Sequence, residues 1–479
     1  MPGINSMIRS RLLNAGRPVL WVFLFAAAFS ACGNNKTPVV TDSPAVTWIS
    51  GGDTIGQSGV YGTLGVADAA NVPGSRHQSA TWRDAEGRLW LFGGSGLDAA
   101  GGTGHLNDLW RFDPATLEWA WIAGSSTAAQ PGLYGTLGSP SSSNIPGSRD
   151  ASVSWIDASG TLWLFGGHGH DSISDIGQLN DLWKFDSATL EWTWVAGSNK
   201  INRDGVYGTK GTAAPSNFPG ARQAAVGWLD ANGVFWLFGG YGADSQGSIG
   251  YLNDLWKFNP STLEWTWVAG SDTVNEKGVY GDQNKAASDN APGSRDASVA
   301  WIDASGTLWL FGGFGFDYVA YLGQLNDLWK FSPSTLEWTW VSGGNKYKRY
   351  GHYGVQNEAD SSNVPGGRDM AVSWLDADGS LWLFGGNGID TSGALGRLND
   401  LWKFDPTSRD WTWVAGSTTI NPTGVYGTKG TAAAANIPGG RGAAVPWIDA
   451  SGALWLFGGW GFDASGNPGE LNDLWRFAW

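Results

Sequence analysis

The stretch Leu89-Trp90-Leu91-Phe92-Gly93-Gly94 returns five more times at an unvarying step of 73 residues, with Gly94, Gly167, Gly240, Gly313, Gly386 and Gly459 closing the copies. Arg76, Arg149, Arg222, Arg295, Arg368 and Arg441 keep the same step, as do Trp110, Trp183, Trp256, Trp329, Trp402 and Trp475. A long period without slippage means one structural unit used six times, which restricts the chain to repeat architectures built around one continuous core. The 479 residues therefore count as one domain preceded by a leader, where length alone would suggest about three.

Within one copy, Arg76 to Trp82 reads as a first strand with small inner residues, Ser79 and Ala80. Asp84 to Gly87 is a tight turn, Leu89 to Phe92 a second strand ending at the paired glycine, and Ser95 to Leu106 a glycine-rich loop. Asp108 to Phe112 is a third strand, Asp113 to Thr116 another turn, and Trp119 to Ile122 a fourth strand. A four-stranded meander repeated radially is a propeller blade. Small residues suit a crowded axis, and tryptophans fill the wider gaps toward the rim, so the high counts of Gly (73) and Trp (32) have a common origin.

The paired glycine, the run Asn107-Asp108-Leu109-Trp110-Arg111-Phe112-Asp113-Pro114 and Trp121 resemble the kelch repeat, and comparable residues recur in all six copies across residues 46–479. The resemblance implies an all-β, six-bladed kelch-type β-propeller over residues 45–479. A kelch unit usually runs to about 50 residues. Each copy here carries roughly 20 more, placed between the fourth strand and the next first strand, as in Ala123 to Ser148. The sixth copy reaches Trp479 without a fourth strand, while Trp48 lies 73 residues before Trp121. Val46-Thr47-Trp48-Ile49 is thus in register to close the last blade and remove its exposed edge.

Residues 1–32 read as a signal peptide. Arg9, Arg11 and Arg17 precede an apolar run, Val19 to Ala31, too short to span a bilayer. The run ends in Phe29-Ser30-Ala31-Cys32, which resembles the lipobox of bacterial lipoproteins and makes Cys32, the one cysteine in the chain, the expected lipidation site. Residues 33–44 are a polar tether. The formal charge of -14 becomes more negative once the arginines of this leader are removed, for it holds no acidic residue. Such a surface repels phosphate backbones, which argues against nucleic acid and leaves an N-terminal lipid as the only membrane contact.

Strand alternation places both short turns on one face of the disc and both long connections on the other, and loops held by a rigid scaffold are where binding residues collect. The long-loop face carries the six arginines, the ring Asp108, Asp181, Asp254, Asp327, Asp400 and Asp473, and the loop aspartates Asp98, Asp171, Asp244, Asp317, Asp390 and Asp463. Residues present in every copy serve the symmetric fold first, as arginine–carboxylate pairs and as caps of glycine turns. Oxygen-rich glycine loops also suit calcium, which makes the six loop aspartates the candidate metal ligands, although they lack the full spacing of a calcium loop. No other cofactor is expected.

Positions that depart from the repeat point to a ligand. After the paired glycine come Ser95, His168, Tyr241, Phe314, Asn387 and Trp460, and two further on Leu97, His170, Ala243, Phe316, Ile389 and Phe462. The fourth copy adds Tyr318 and Tyr321, and Lys346-Tyr347-Lys348-Arg349-Tyr350 is the dense basic cluster of residues 45–479. Aromatic faces beside carboxylates suit stacking on sugars or on aromatic peptide side chains. The candidate binding set is therefore His168, His170, Tyr241, Phe314, Phe316, Tyr318, Tyr321, Trp460, Phe462, Lys346, Tyr347 and Arg349. Their alternative use is to lid the channel mouth.

Catalytic signatures are weak. His168-Gly169-His170-Asp171 offers two imidazoles but no third histidine at ligand spacing. His77, His105 and His352 are scattered among copies and expected to face solvent. A copper radical oxidase of the galactose oxidase type also uses a kelch fold, but its tyrosine–cysteine crosslink cannot form when Cys32 lies in the leader. Asp157 to Trp163 is reminiscent of the sialidase aspartate box, yet its spacing differs and it sits in a short turn on the opposite face. The expected function is an exported, lipid-anchored kelch-repeat module of the bacterial envelope, an outer-membrane lipoprotein or a secreted protein, binding a protein or glycan ligand on its long-loop face. The alternatives are a glycan-modifying enzyme of the isomerase or lyase type using that face, and a structural envelope protein. Blade-specific aromatics gathered at one mouth favour binding, and a buried carboxylate or histidine with a shifted pKa favours catalysis.

Overall fold

The computed structural model describes residues 44–479; the expected signal peptide, Cys32 and all but Pro44 of the tether lie outside them. The described residues form six antiparallel sheets and no helix. In the first blade Leu89–Leu97 is followed by Thr103–Asp113 and Glu118–Ala123, and the first strand lies against Leu89–Leu97 in two pieces, Arg76–His77 and Ala80–Arg83. The innermost pieces of neighbouring blades touch one another around the axis, from Ala80–Arg83 through Val445–Ile448 and back.

The second strand does not end at the paired glycine. It carries a β-bulge between Phe92 and Gly94 and then continues to Leu97, still paired with the third strand. Gly93 and Gly94 stand at φ +63° and +97°, and a Cβ on Gly93 would lie 2.7 Å from the Arg149 carbonyl of the next blade. The glycines are therefore required by close blade-to-blade approach, and they bend the strand without breaking its ladder. The expected loop from Ser95 to Leu106 is instead a hairpin, with its turn confined to Asp98–Gly102.

The extra residues of each copy begin on the hairpin-tip face, where Ala128 N donates to Asp98 Oδ2 and Ala129 N to His105 O, and then depart from the expectation of a loop on one face. They run down the outer edge of the following blade: Gly138 N donates to Trp194 O, Asn144 Nδ2 donates to Trp192 O, and Ser141 bridges Trp192. Before the first blade the same segment forms a two-residue strand, with Ala67 opposite Ala120. A fourth strand left bare would present unpaired backbone groups to other chains, and the linker covers them.

Ala45–Ser50 pairs with Pro468–Ala478, with Trp48 opposite Trp475, so the N-terminal strand closes the sixth blade. The linker before that blade clasps it in turn, for Gly430 N donates to Trp48 O and Asn436 Nδ2 to Val46 O. Six apolar clusters fill the gaps between successive blades. One of them joins Leu89, Leu91 and Trp110 to Trp455 and Phe457, which completes the circle. The largest fully buried side chains are all tryptophans. Burying about 200 Å² apiece corresponds to roughly 5 kcal/mol of transfer free energy each, which is what wedge-shaped gaps near the rim reward.

At the break in the first strand, Gln78, Ala151, Ala224, Ala297, Met370 and Ala443 form a closed circle of backbone hydrogen bonds. Each N–H donates to the carbonyl of the copy before it, at 2.8–3.0 Å. All six residues adopt left-handed φ values of 49–57°. That conformation costs about 1 kcal/mol per residue, and the circle of bonds offsets it. This neck is the floor of the channel mouth on the hairpin-tip face.

Candidate functional site

The charges that recur in every blade are consumed by the fold. Arg76 Nη1 and Nη2 donate to the two oxygens of Asp108 at 2.7 and 2.8 Å, and Arg76 Nε and Nη1 also donate to the carbonyls of Gly74 and Gly93. Tyr61 Oη and Trp110 Nε1 complete the shell of Asp108 at 2.6 and 2.7 Å. The pair links the first and third strands across the second, and it can do so because the intervening Gly96 has no side chain: a Cβ there would lie 2.6 Å from Arg76 Cβ. The other five copies repeat the arrangement, through Asp181, Asp254, Asp327, Asp400 and Asp473.

The loop aspartates are turn caps. Asp98 Oδ1 accepts from the amides of Ala100 and Gly102, and Oδ2 accepts from Ala128 N of the linker. Burial pushes this carboxyl up, but the amides of Ala128, Gly102, Ala100 and Gly101 outweigh it and hold the group below the usual carboxylate range. Asp244, Asp317, Asp390 and Asp463 make the same three kinds of contact, while Asp171 caps its turn and has Lys200 Nζ at 3.9 Å. In five of the six turns amide hydrogens thus meet both carboxylate oxygens, an arrangement that does not fit calcium, whereas Asp171 Oδ2 is buried without a hydrogen-bond partner.

The residues that vary from copy to copy lie in cross-strand rows around the channel mouth. Strand register places His77, Ser95 and His105 side by side in the first blade. The rows that follow are Asp150, His168, Gln178; Gln223, Tyr241, Tyr251; Asp296, Phe314, Gln324; Asp369, Asn387, Arg397; and Gly442, Trp460, Glu470. His168, Tyr241, Phe314 and Trp460 of the expected set are therefore brought together at the mouth. Tyr251 joins them, its ring 5.1 Å from Tyr241, 5.7 Å from Phe314 and 6.0 Å from Phe316. Tyr318, Tyr321, Lys346 and Tyr347 form a separate patch at a hairpin tip, where the rings of Tyr321 and Tyr347 meet at a tilt of 40° with centroids 5.8 Å apart and Lys346 lies over Tyr318. Arg349 packs its chain near Gly344 in that linker, and Phe462 ends the second strand of the sixth blade.

The rows hold acid–base groups that the sequence reading passed over. Burial, together with the charge of Asp369, pushes Asp296 up to about 7; burial alone takes Asp150 to about 7. Asp369 is raised by burial against hydrogen bonds from Gln324 and Asn387, at 3.1 Å each, and against the charge of Arg397. His77 and His105 are half-buried at the channel mouth. Burial lowers both, His105 to about 4 with help from His168, His170 and His77, whereas His352 is exposed as expected. One signal was present for some of these residues: the site in step with His105 holds His, Gln, Tyr, Gln, Arg and Glu, whereas the site in step with His77 holds Asp in three of its six copies.

Between the fifth and sixth blades the mouth opens into a cavity of about 250 Å³ lined by His77, Met370, Arg397, Gly442, Trp460 and Glu470. The Arg397 guanidinium lies over the Trp460 ring at 4.7 Å. Its Nη1 is enclosed without a hydrogen-bond partner, as is His77 Nδ1. Where the other copies carry His, Asp or Gln the sixth has Gly442, and a Cβ there would approach Arg397 Nη1 to 3.1 Å. The glycine leaves room beside a buried donor that no protein group satisfies, a combination suited to a ligand carboxylate or sugar oxygen.

Residues 209–421 match the KLHDC2/KLHL20/DRC7 Kelch-repeats domain. The chain is also similar to the N-acetylneuraminate epimerases of Escherichia coli O9:H4 (strain HS), Shigella flexneri and Escherichia coli (strain K12), at 27% identity over 233 residues in each case. These alignments cover 39% of this chain and 59% of each relative, so the chain spans less than two thirds of the length of the relatives it matches. With blade count, strand order and matched repeats in agreement, the described chain is an all-β, six-bladed propeller of the kelch type.

Proposed function

We propose that the channel mouth binds a sugar, of the sugar-acid class, and isomerises it by acid–base chemistry. The observation that carries this reading is the convergence of the copy-specific rows on one mouth, where Asp296 and Asp369 sit in adjacent blades with raised pKa values and Asp369 shares its row with Arg397, whose Nη1 has no hydrogen-bond partner. Epimerisation removes a proton and returns one, with no net change in composition, and a carboxyl titrating near neutrality serves both halves. Arg397 and Trp460 would hold the sugar, by charge-assisted hydrogen bonds and by stacking, while Asp296 and Asp369 exchange the proton. The similarity to N-acetylneuraminate epimerases supports a sugar acid as substrate.

The test is proton NMR of N-acetylneuraminate and simpler sugar acids with the purified protein. Asp296→Asn and Asp369→Asn should each slow interconversion about 100-fold or more, and Arg397→Gln should raise KM. Saturable binding without turnover would return the site to a binding module, which the exposed Tyr318, Tyr321 and Lys346 patch favours as a docking surface for a glycan or protein. Absence of both binding and turnover with every sugar acid would remove the reading. Export and lipidation at Cys32 are part of the proposal, and loss of fatty-acid labelling in Cys32→Ala is the result expected of them.

A further inference from the structure

The mouth holds a second constellation, on the side away from Arg397. His105 comes from the third strand of the first blade, and Asp150 and His168 are cross-strand partners in the second. His105 Nε2 and His168 Nδ1 face each other at 3.3 Å, and His105 Nε2 lies 3.6 Å from Asp150 Oδ2. One donor atom from each residue falls within 4.8 Å of the others. The sequence offered only His168 and His170 as neighbours; the third ligand arrives from the adjoining blade, 63 residues away. His170 stands behind, its ring 5.8 Å from that of His105 and its Nδ1 3.4 Å from the Ser174 carbonyl.

We propose that His105 Nε2, His168 Nδ1 and Asp150 Oδ2 bind a divalent first-row transition metal ion, zinc above all, across the junction of the first two blades. Ligands at roughly 2.0–2.1 Å from a tetrahedral ion are separated from one another by about 3.3–3.4 Å. Both measured separations lie close to that value. Two imidazoles and one carboxylate select zinc and its neighbours over calcium or magnesium, which take oxygen alone. No fourth His, Cys, Asp or Glu joins the three among the described residues, so a tetrahedral ion keeps one position for water or for a ligand oxygen.

The surroundings agree with this use. Asp150 is buried and both imidazoles are half-buried, so the three donor atoms meet away from bulk water, where a cation supplies the counter-charge of the carboxylate. The pair of histidines is specific to this junction: the equivalents of His105 include Gln178 and Gln324 and that of His168 in the first blade is Ser95, while the position of Asp150 holds Gln223 in the third blade and aspartate again at Asp296 and Asp369.

The repeat also supplies substitutions that the backbone already accepts. His105→Gln, Asp150→Gln and His168→Ser each install the residue another blade carries. The full chain, stripped with EDTA, is titrated with zinc chloride and, in parallel, with cobalt chloride read by visible absorption. Expected are one ion per chain, a rise in Tm on addition of zinc, the intense cobalt spectrum of a tetrahedral site, and about 100-fold weaker zinc binding in each of the three variants. His352→Ala, at an exposed site, should bind as the parent does. No saturable binding by the parent, or binding that survives His105→Gln combined with His168→Ser, would overturn the assignment. These readouts involve no sugar, so they stand or fall separately from the isomerase reading.

Discussion

Asp296 shows how a single residue reports on the site. Its folded pKa, about 7, lies above the usual 3.8. Below pH 4 the carboxyl is protonated in both states and costs nothing. Between pH 4 and 7 the unfolded chain releases the proton while the folded chain keeps it, so this group makes stability fall as pH rises, and the penalty levels off above 7. A shift of that size in a fully dry site would carry about 4 kcal/mol. Asp296 keeps some contact with channel water, which tempers the penalty to about 1–2 kcal/mol. Asp296→Asn is therefore expected to raise Tm at pH 8 and leave it unchanged at pH 4, as calorimetry at the two pH values would show. Asp254 accepts two bonds from Arg222 and one each from Tyr207 and Trp256, all buried. Asp254→Ala leaves a buried guanidinium unpaired and should cost about 3–5 kcal/mol in urea unfolding. Tyr207→Phe removes one bond and should cost about 1–2 kcal/mol.

The second strand sets both the blade spacing and the site. Its bulge at the paired glycine lets the neighbouring blade approach, and its continuation to Leu97 carries the copy-specific side chains toward the axis. Gly239, at φ +64°, would bring a Cβ to 2.7 Å from Arg295 O and 3.0 Å from Leu252 O. Neither backbone atom can yield cheaply. Gly239→Ala is expected to destabilise the protein by about 2–4 kcal/mol and to loosen the mouth on the Tyr241 side, measurable as lower Tm together with faster amide exchange at Tyr241 and Tyr251. The linkers have the complementary task. By covering each outer edge they free the blade faces for packing, which explains why the extra residues of every copy are spent away from the channel.

Across the whole molecule, the closing contact is the one with no covalent continuity. Trp48 meets Tyr426 edge-on at 5.1 Å, lies under Lys429 at 4.3 Å and sits opposite Trp475. Deleting residues 45–52 exposes the Pro468–Ala478 edge, and the expected outcome is a sharply lower Tm with self-association, seen by calorimetry and analytical ultracentrifugation. Much of this architecture was legible in the chain itself. The invariant step of 73 residues established the number of blades, the recurrence of Arg76 and Asp108 announced a structural pair, and the offset of Trp48 identified the closing strand, because symmetric packing demands the same residue types in each copy. The site was legible only in part. His168, Tyr241, Phe314 and Trp460 stood out as departures from the repeat; His105 and Arg397 depart from it as well, but their use, like that of Asp150 and Asp296, comes from register. Pairing across three strands puts residues 28 positions apart in one row, and ring closure sets the row of one blade against that of the next. Local pattern encodes which unit forms and how often; only the closed circle brings unlike copies face to face around one axis, where burial shifts their charges and creates the chemistry.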